Sequence, residues 1–280
     1  MILIADSGSS KTDWILLDGK KLLQELSCTG LNPNFSDDSS ISNEISKAFQ
    51  SLNIAEKIDE LYFYGSGCGN EINQQRVKRV LLNIFPNLRK IQVSTDSLGA
   101  AIGISSQNES IACILGTGSN SCLFDGEKIL FQNPSYGYIF GDEGSGADIG
   151  KRTLQYFFEK KLSNEIMEAL NAWLNLTHSQ LIEQIYLKPK PNRFLASISK
   201  FHSENISNEE LHSIRKIAFT SFFANQISRI PDAKNYLLNF SGSIAYHFAE
   251  EIKTSAKEFH FQVGEIYASP IKGLATYHSS

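Results

Sequence analysis

Ile2-Leu3-Ile4-Ala5-Asp6-Ser7-Gly8-Ser9-Ser10-Lys11-Thr12-Asp13-Trp14-Ile15-Leu16-Leu17-Asp18-Gly19-Lys20 decides how the chain is read. An apolar run ends in an acid. A small-residue turn carries hydroxyls and one lysine, and a second apolar run stops at Asp18-Gly19. The pattern predicts strand, tight turn, strand, Asp-Gly turn, strand. Small residues let the backbone come close to a ligand, and successive N–H groups in such a turn form an anion cradle. Ser9, Ser10 and Thr12 add hydroxyls, Lys11 adds a point charge suited to phosphate, and Asp6 at the strand's end suits a hydrated magnesium ion. On this segment alone, an ordinary hairpin with a polar turn reads the same.

Downstream, Cys28 to Phe35 is a loop by its Gly, Pro and Asn content. Asp37 to Leu52 has helical spacing at Ile41, Ile45, Ala48, Phe49 and Leu52. Leu61–Tyr64 is a buried-type strand, and Glu71 to Phe85 is a helix with Ile72, Val77, Val80, Leu81 and Ile84 as its stripe. Ile91–Val93 is a strand that delivers Thr95-Asp96-Ser97 to a helix start. This order describes an α/β domain over residues 1–107. After a polar break at 105–109 the chain starts again. Ile111–Leu115 is a strand, Gly116-Thr117-Gly118-Ser119 a small-residue turn, Ser121–Phe124 a strand, Asp125-Gly126 a turn and Lys128–Phe131 a strand. A duplicated hairpin of this kind is far more specific than either copy alone.

A glycine-rich, acidic stretch, Ser135 to Asp148, then leads into a helix expected from about Ile149 to Leu162, and the pattern stays helical to Ile230. Tyr236–Phe240 is a late strand, followed by Ser241-Gly242-Ser243 and a helix through Phe248 and Ile252. Ile266–Ala268 is the last strand, and Pro270 suits the first position of a terminal helix.

With 280 residues, 41% of them hydrophobic, the chain can bury two domain cores. A net charge of −4 without a basic stripe argues against nucleic acid as a partner. Cys28, Cys68, Cys113 and Cys122 lack CxxC spacing, which points to reduced thiols in a cytoplasmic protein. The N-terminal apolar run has no basic flank and ends at Asp6, so no signal peptide is expected. No run approaches the roughly 20 apolar residues that span a membrane.

Through its two hairpins the chain resembles the actin-like ATPase superfamily of sugar kinases, Hsp70 and actin, and within it the N-acetylglucosamine kinase and BadF/BadG ATPase branch. Asp6 to Thr12 is similar to the first phosphate motif. Thr95 to Ala101 is similar to the connecting motif with the catalytic acid, and Gly116 to Asn120 to the second phosphate motif. Gly141-Asp142-Glu143-Gly144-Ser145 is similar to the sugar-binding segment, and Ser241 to Ala245 to the adenosine motif. The first turn is poorer in glycine than is usual, Ser10 stands where threonine is common, and the chain is short for such a kinase.

The resemblance implies two actin-like, ribonuclease H-like α/β domains with a nucleotide cleft between them: residues 1–107 and 108–280. It implies a helical insert at about 150–230 and a terminal helix, 270–280, that packs back on the first domain. It implies an ATP-dependent, magnesium-using amino-sugar kinase, with transfer to a hydroxyl such as the 6-OH. Ser9, Ser10, Lys11, Thr12, Thr117, Gly118, Gly242 and Ser243 would bind ATP, and Asp6 would hold magnesium through water. Asn34, Asp96, Ser119, Asn120, Ser135, Tyr136, Gly137 and Asp142 would bind the sugar, with Asp96 as the base. From the residues alone, Asp96 reads first as a helix N-cap, Asn34 also as a turn residue after Pro33, and Glu143 as a second acid near magnesium or a salt-bridge partner. Self-association as a homodimer is left open. The runner-up activity is that of an ATPase that activates a radical dehydratase through an iron–sulfur cluster. A non-enzymatic sugar sensor is the third.

Overall fold

The computed structural model describes residues 1–50, 52, 54–105 and 108–279, so the boundary expected at 107 lies outside the described residues. Two compact units form. The first comprises Met1–Glu109, Phe124–Ile129 and Ser269–Ser280, and the second Ser110–Leu123 and Leu130–Ala268.

In the first unit, β1 (Ile2–Ser7), β2 (Lys11–Asp18), β3 (Lys21–Thr29), β4 (Glu60–Gly65) and β5 (Lys90–Thr95) build one sheet in the order β3-β2-β1-β4-β5. β1 pairs antiparallel with β2 and parallel with β4, and β4 pairs parallel with β5. The central β1 buries Leu3, Ile4 and Ala5 completely, as a strand covered on both faces must. Helices α1 (Asp38–Phe49), α2 (Glu71–Ile84) and α3 (Asp96–Ser105) connect or follow these strands. Trp14 packs edge-on against Phe49 at 5.3 Å within this core.

The α2 stripe differs from its expectation at one end. Ile72 is 75% exposed, and the buried face carries Asn73, Val77, Val80 and Leu81. A polar residue takes the first inward place because hydrogen bonds await it there.

In the second unit, β6 (Ser110–Leu115), β7 (Ser119–Phe124), β8 (Ile129–Gln132), β9 (Leu237–Ser241) and β10 (Gln262–Tyr267) form the order β10-β9-β6-β7-β8. Each strand thus has a counterpart, β1 with β6 through β5 with β10, and β6–β9 and β9–β10 are likewise parallel. The duplication read from two hairpins extends to whole sheets. A short helix, α4 (Gly137–Phe140), precedes α5 (Gly146–Phe158). There follow α6 (Asn164–Leu174), α7 (His178–Tyr186), α8 (Pro191–Ser197), α9 (Ser199–Glu204) and α10 (Glu209–Asn225). A phenylalanine-rich core, with Phe219, Phe222, Phe223, Phe240 and Phe248 buried, joins α10 to the sheet.

Several ends differ from the sequence reading. α5 starts at Gly146, three residues before the expected Ile149, because the Ser145 hydroxyl accepts the Asp148 N–H and caps it. The helix expected through Ile252 is two helices, α11 (Ser243–His247) and α12 (Ala249–Glu258), broken where Phe248 leaves helical dihedrals. β10 begins four residues before the expected Ile266. The last helix, α13, spans Ile271–His278, and Pro270 precedes it instead of opening it. α13 packs within the first unit. A Cβ added at Gly273 would lie 1.8 Å from the Gly103 carbonyl oxygen of α3, so the two helices meet backbone to backbone. His278 stacks on Tyr62 at 3.7 Å and shares a 2.9 Å hydrogen bond with the Tyr64 hydroxyl. Among the described residues no helix is long and apolar enough to cross a membrane.

Candidate active site

The register of the first sheet brings the candidate chemistry of that unit to one edge. Asp6 faces Tyr64 across the β1–β4 pair, and Tyr64 faces Ser94 across the β4–β5 pair. The parallel strands β1, β4 and β5 therefore end together, where ligand sites of α/β sheets gather. Asp6 stands at the end of β1 and Asp96 one residue past β5. Burial, then the Asp96 charge, then the Asp13 charge push the Asp6 carboxyl up to about 7. Hydrogen bonding from Ser269 and the Lys11 charge pull the other way. Burial also raises Asp96, opposed by hydrogen bonds from Ser97 and Ser66. Two carboxyls with this much unmet charge form a place that a cation relieves, which is the chemistry a hydrated magnesium ion needs. Among the described residues no cluster of three or more His, Cys, Asp or Glu is placed to hold a metal. One carboxylate with water in the remaining positions fits magnesium.

Asp96 is the first residue of α3, but it does not cap it. The Thr95 hydroxyl accepts the Leu98 N–H at 3.2 Å, which is the N-cap bond, while Asp96 accepts its neighbour's Ser97 N–H at 2.8 Å. The helix-cap reading of Asp96 is thereby corrected: threonine holds the cap, and the aspartate stands beside it.

The turn after β1 is closed by a Gly8 N–H to Lys11 carbonyl bond of 2.9 Å. It rests on Gly30, whose N–H donates to the Ser10 carbonyl and where a Cβ would lie 2.4 Å from the Gly8 carbonyl oxygen. Lys11 is 62% exposed and pairs with Asp13 at 2.7 Å. The structure sets Thr12 apart from its neighbours in the turn. It is fully buried, and its hydroxyl bonds Ser7 at 2.8 Å and the Thr29 carbonyl at 3.1 Å. Its place is under the turn.

Asn34 lies on the loop that follows Leu31. Its side-chain carbonyl accepts from Asn73 of α2 at 2.7 Å, and its backbone N–H donates to Asn32 Oδ1.

In the second unit the corresponding turn, Gly116–Gly118, is pinned from behind. Gly146 and Ala147, opening α5, donate their N–H groups to the Gly116 and Thr117 carbonyls. Asp142 Oδ1 accepts the Ser119 N–H at 3.1 Å, and a Cβ on Gly118 would come within 3.0 Å of that carboxylate. Asp142 adopts φ 56, a conformation that costs a non-glycine residue energy and often marks function. Burial raises its carboxyl, opposed by the Ser119 N–H.

Ser119, Asn120, Ser135, Tyr136 and Asp142 line one pocket of this unit together with Asn133, Pro134, Gly141, Glu143, Asn225, Gln226 and Arg229. Gly137 opens the adjoining α4. Ser243 opens α11, just past Gly242. Gly242 has φ 114, and a Cβ there would lie 2.3 Å from the Leu115 carbonyl oxygen. Glycine is thus required by β6 itself, a cause other than the ligand approach expected for it.

The family model of the BadF/BadG/BcrA/BcrD ATPases matches residues 5–276. The chain belongs to this ATPase family. It is 27% identical over 210 residues to the N-acetylmuramic acid/N-acetylglucosamine kinase of Clostridium acetobutylicum, a match covering 70% of this chain and 67% of that kinase. A Porphyromonas gingivalis protein provisionally assigned as an N-acetylglucosamine kinase has a solved structure that is 36% identical. It superposes with a TM-score of 0.94 over 100% of this chain and 99% of its own. MreB 5 of Spiroplasma citri, 11% identical, matches 99% of this chain and 95% of its own at a TM-score of 0.58, a likeness of fold alone. The ATPase has the two-sheet, actin-like α/β architecture.

Two pocket residues of this ATPase and one buried behind them escaped the sequence reading. Gln226, at the end of α10, donates one side-chain nitrogen to both the Ser119 hydroxyl (2.8 Å) and Glu143 Oε2 (3.0 Å). Asn133 donates to the Gln226 carbonyl at 2.9 Å. Asp148, buried behind the segment, accepts the Gly144 N–H and the Arg152 guanidinium. Glu143 lines the second unit's pocket and accepts from Gln226, which is neither of the two roles left open for it, a second acid near magnesium or a salt-bridge partner. No spacing rule links residues 119, 143 and 226.

Proposed function

We propose that this ATPase is a cytoplasmic amino-sugar kinase that transfers the γ-phosphoryl group of ATP to the 6-hydroxyl of N-acetylglucosamine or a close relative. The observation that carries the reading is Asp96. It is a carboxyl at the common end of three parallel strands, relieved of capping duty by Thr95, with its proton affinity raised by burial. A carboxylate of raised pKa is the better proton acceptor near neutral pH. Asp96 takes the hydroxyl proton as the sugar oxygen bonds to the γ-phosphorus and the bridging oxygen departs with ADP. Ser9, Ser10, Lys11, Thr117, Gly118 and the Gly242–Ser243 turn would hold the nucleotide, with Thr12 bracing the first turn. A magnesium ion held through water by Asp6 would neutralise charge on the phosphates. Asn34, Ser119, Asn120, Ser135, Tyr136, Gly137 and Asp142 would orient the sugar. The kinase names borne by the relatives from C. acetobutylicum and P. gingivalis support the same substrate class.

The dehydratase-activator alternative calls for thiols at a surface. Cys68, Cys113 and Cys122 are buried, the last two within β6 and β7. Anaerobically purified protein is expected to be colourless. The deciding experiment is ADP release with magnesium ATP over a panel holding N-acetylglucosamine, N-acetylmuramic acid, glucosamine and glucose, with phosphosugar identified by mass. Sugar-independent ADP release across the whole panel would overturn the kinase reading.

A further inference from the structure

The loop bearing Asn34 is held from beneath by α2. Gly67, in the turn after β4, has φ 82, and a Cβ there would lie 2.2 Å from Asn32 Oδ1, so the position is closed to any side chain. Its carbonyl oxygen is met by a side chain of α2. Asn73, buried on the inward face of α2, donates Nδ2 to that carbonyl at 2.8 Å and to Asn34 Oδ1 at 2.7 Å. A backbone carbonyl can only accept, so the Asn73 group facing Gly67 has to be its NH2. Both hydrogens of that NH2 are then spoken for, and the second has to meet an acceptor on Asn34. The Asn34 carboxamide is thereby oriented with its oxygen inward and its own NH2 outward, on a residue that is otherwise exposed. Three residues on, Arg76 donates to the Pro33 carbonyl at 2.8 Å and the Ser36 carbonyl at 3.2 Å, and pairs with Asp38 at 2.8 Å. The loop is clamped on both sides of Asn34.

From this relay we infer that Asn73 is a positioning residue for the sugar: through Asn34 it presents a pair of N–H donors, so the sugar group met there is a hydrogen-bond acceptor, a ring hydroxyl oxygen or an amide carbonyl. The inference rests on the amino-sugar kinase reading of Asn34. It deepens that reading by assigning the polarity of one contact and the residue that sets it.

The test is a double-mutant cycle on the full chain, with N-acetylglucosamine as the varied substrate. Asn34→Ala and Asn73→Ala are each expected to raise the sugar KM by about three- to tenfold, the worth of one hydrogen bond, with the ATP KM unmoved. Asn73→Ala in the Asn34→Ala background is expected to add nothing further. Asn34→Asp, which keeps the shape and offers only acceptors, is expected to behave like Asn34→Ala, and its exposed site leaves the melting temperature in place. Additive KM effects would reduce Asn73 to a structural residue. A wild-type KM for Asn34→Asp would overturn the donor assignment. A wild-type KM for Asn34→Ala would overturn the inference while leaving the kinase standing. No phosphorylation of any panel sugar by the wild-type chain would remove the underlying reading, and the inference with it.

Discussion

The turn after β1 rests on a glycine, and the turn after β6 rests on an aspartate. Both follow the first strand of a five-stranded sheet of the same order, and both are built from small residues. Behind the first, Gly30 lets loop backbone touch turn backbone, and Lys11 leaves the turn with a cation beside it. Behind the second, the Asp142 carboxylate accepts the Ser119 N–H, and the α5 N-terminus ties down the turn's carbonyls. One duplicated hairpin has thus been given two electrostatic characters. The first suits phosphate. The second, besides the nucleotide role proposed for Thr117 and Gly118, has Ser119, Asn120 and Glu143 beside it and so also suits hydroxyls and an amide. A repeated backbone fixes where a site forms, while non-repeated residues behind it decide what the site holds.

The largest effect expected from this contrast lies in the first unit. Asp96→Asn keeps the shape and loses the base. General-base catalysis is worth about 10²–10⁴-fold, so turnover should fall by at least about 10²-fold without loss of stability. Thr95→Ala should do the reverse, costing about 1 kcal/mol of stability through the lost cap and sparing most activity. Urea melts and turnover on the same preparations separate the two. An active Asp96→Asn protein would leave the first unit without a base.

Next in size is Asp142→Ala. Loss of a hydrogen bond to a charged group costs about 1.5–3 kcal/mol, so the sugar KM should rise about 10- to 100-fold while the ATP KM holds. If the ATP KM rose and the sugar KM held, Asp142 would serve the nucleotide proposed for Thr117 and Gly118 and not the sugar.

How much of this was readable in the chain differs between the fold and the site. The strands and their duplication follow from apolar runs broken by Gly, Ser and Asp-Gly, and such local patterns survive into the structure. The α5 start was missed because Gly144-Ser145-Gly146 reads as loop until Ser145 is seen to cap. Ile72 was placed inward because periodicity counts apolar residues, whereas Asn73 is drawn in by Gly67 and Asn34. Candidate residues near the turns came from motif resemblance, and five of them meet in one pocket. Gln226, Asn133 and Asn73 had no local mark. Each acts by closing a hydrogen bond with a residue far away in sequence, and only the folded chain supplies those partners.

A smaller effect compares the glycines behind the two turns. Gly30→Ala puts a methyl group 2.4 Å from the Gly8 carbonyl oxygen, where backbone must move. Gly118→Ala puts one 3.0 Å from a carboxylate that can shift. Overpacking of this sort costs about 1–3 kcal/mol. Gly30→Ala should therefore raise the ATP KM by about tenfold, and Gly118→Ala should raise it less while disturbing the sugar KM through Asp142. Equal effects of both variants on both substrates would mean the turns are not specialised.

The smallest effect is one of stability, and it tests whether the first turn's acid is as strained as its surroundings imply. Asp6 has its carboxyl pushed up to about 7 from 3.8, first by burial and then by Asp96. Below pH 4 the group is protonated in folded and unfolded chains alike. Between about 4 and 7 the unfolded chain has released the proton and the folded chain still holds it. Folded protein binds more protons in that window, so this group's contribution to stability falls as pH rises and levels off above about 7. Asparagine has no such window. In EDTA, Asp6→Asn should match the wild-type melting temperature near pH 4 and exceed it by on the order of 5 °C at pH 8. Magnesium should then raise the wild-type melting temperature at pH 8 and leave that of Asp6→Asn in place. A melting-temperature gap that stays constant from pH 4 to pH 8 would show that Asp6 gives up its proton as readily as an exposed aspartate, and the acid beside the first turn would not be strained.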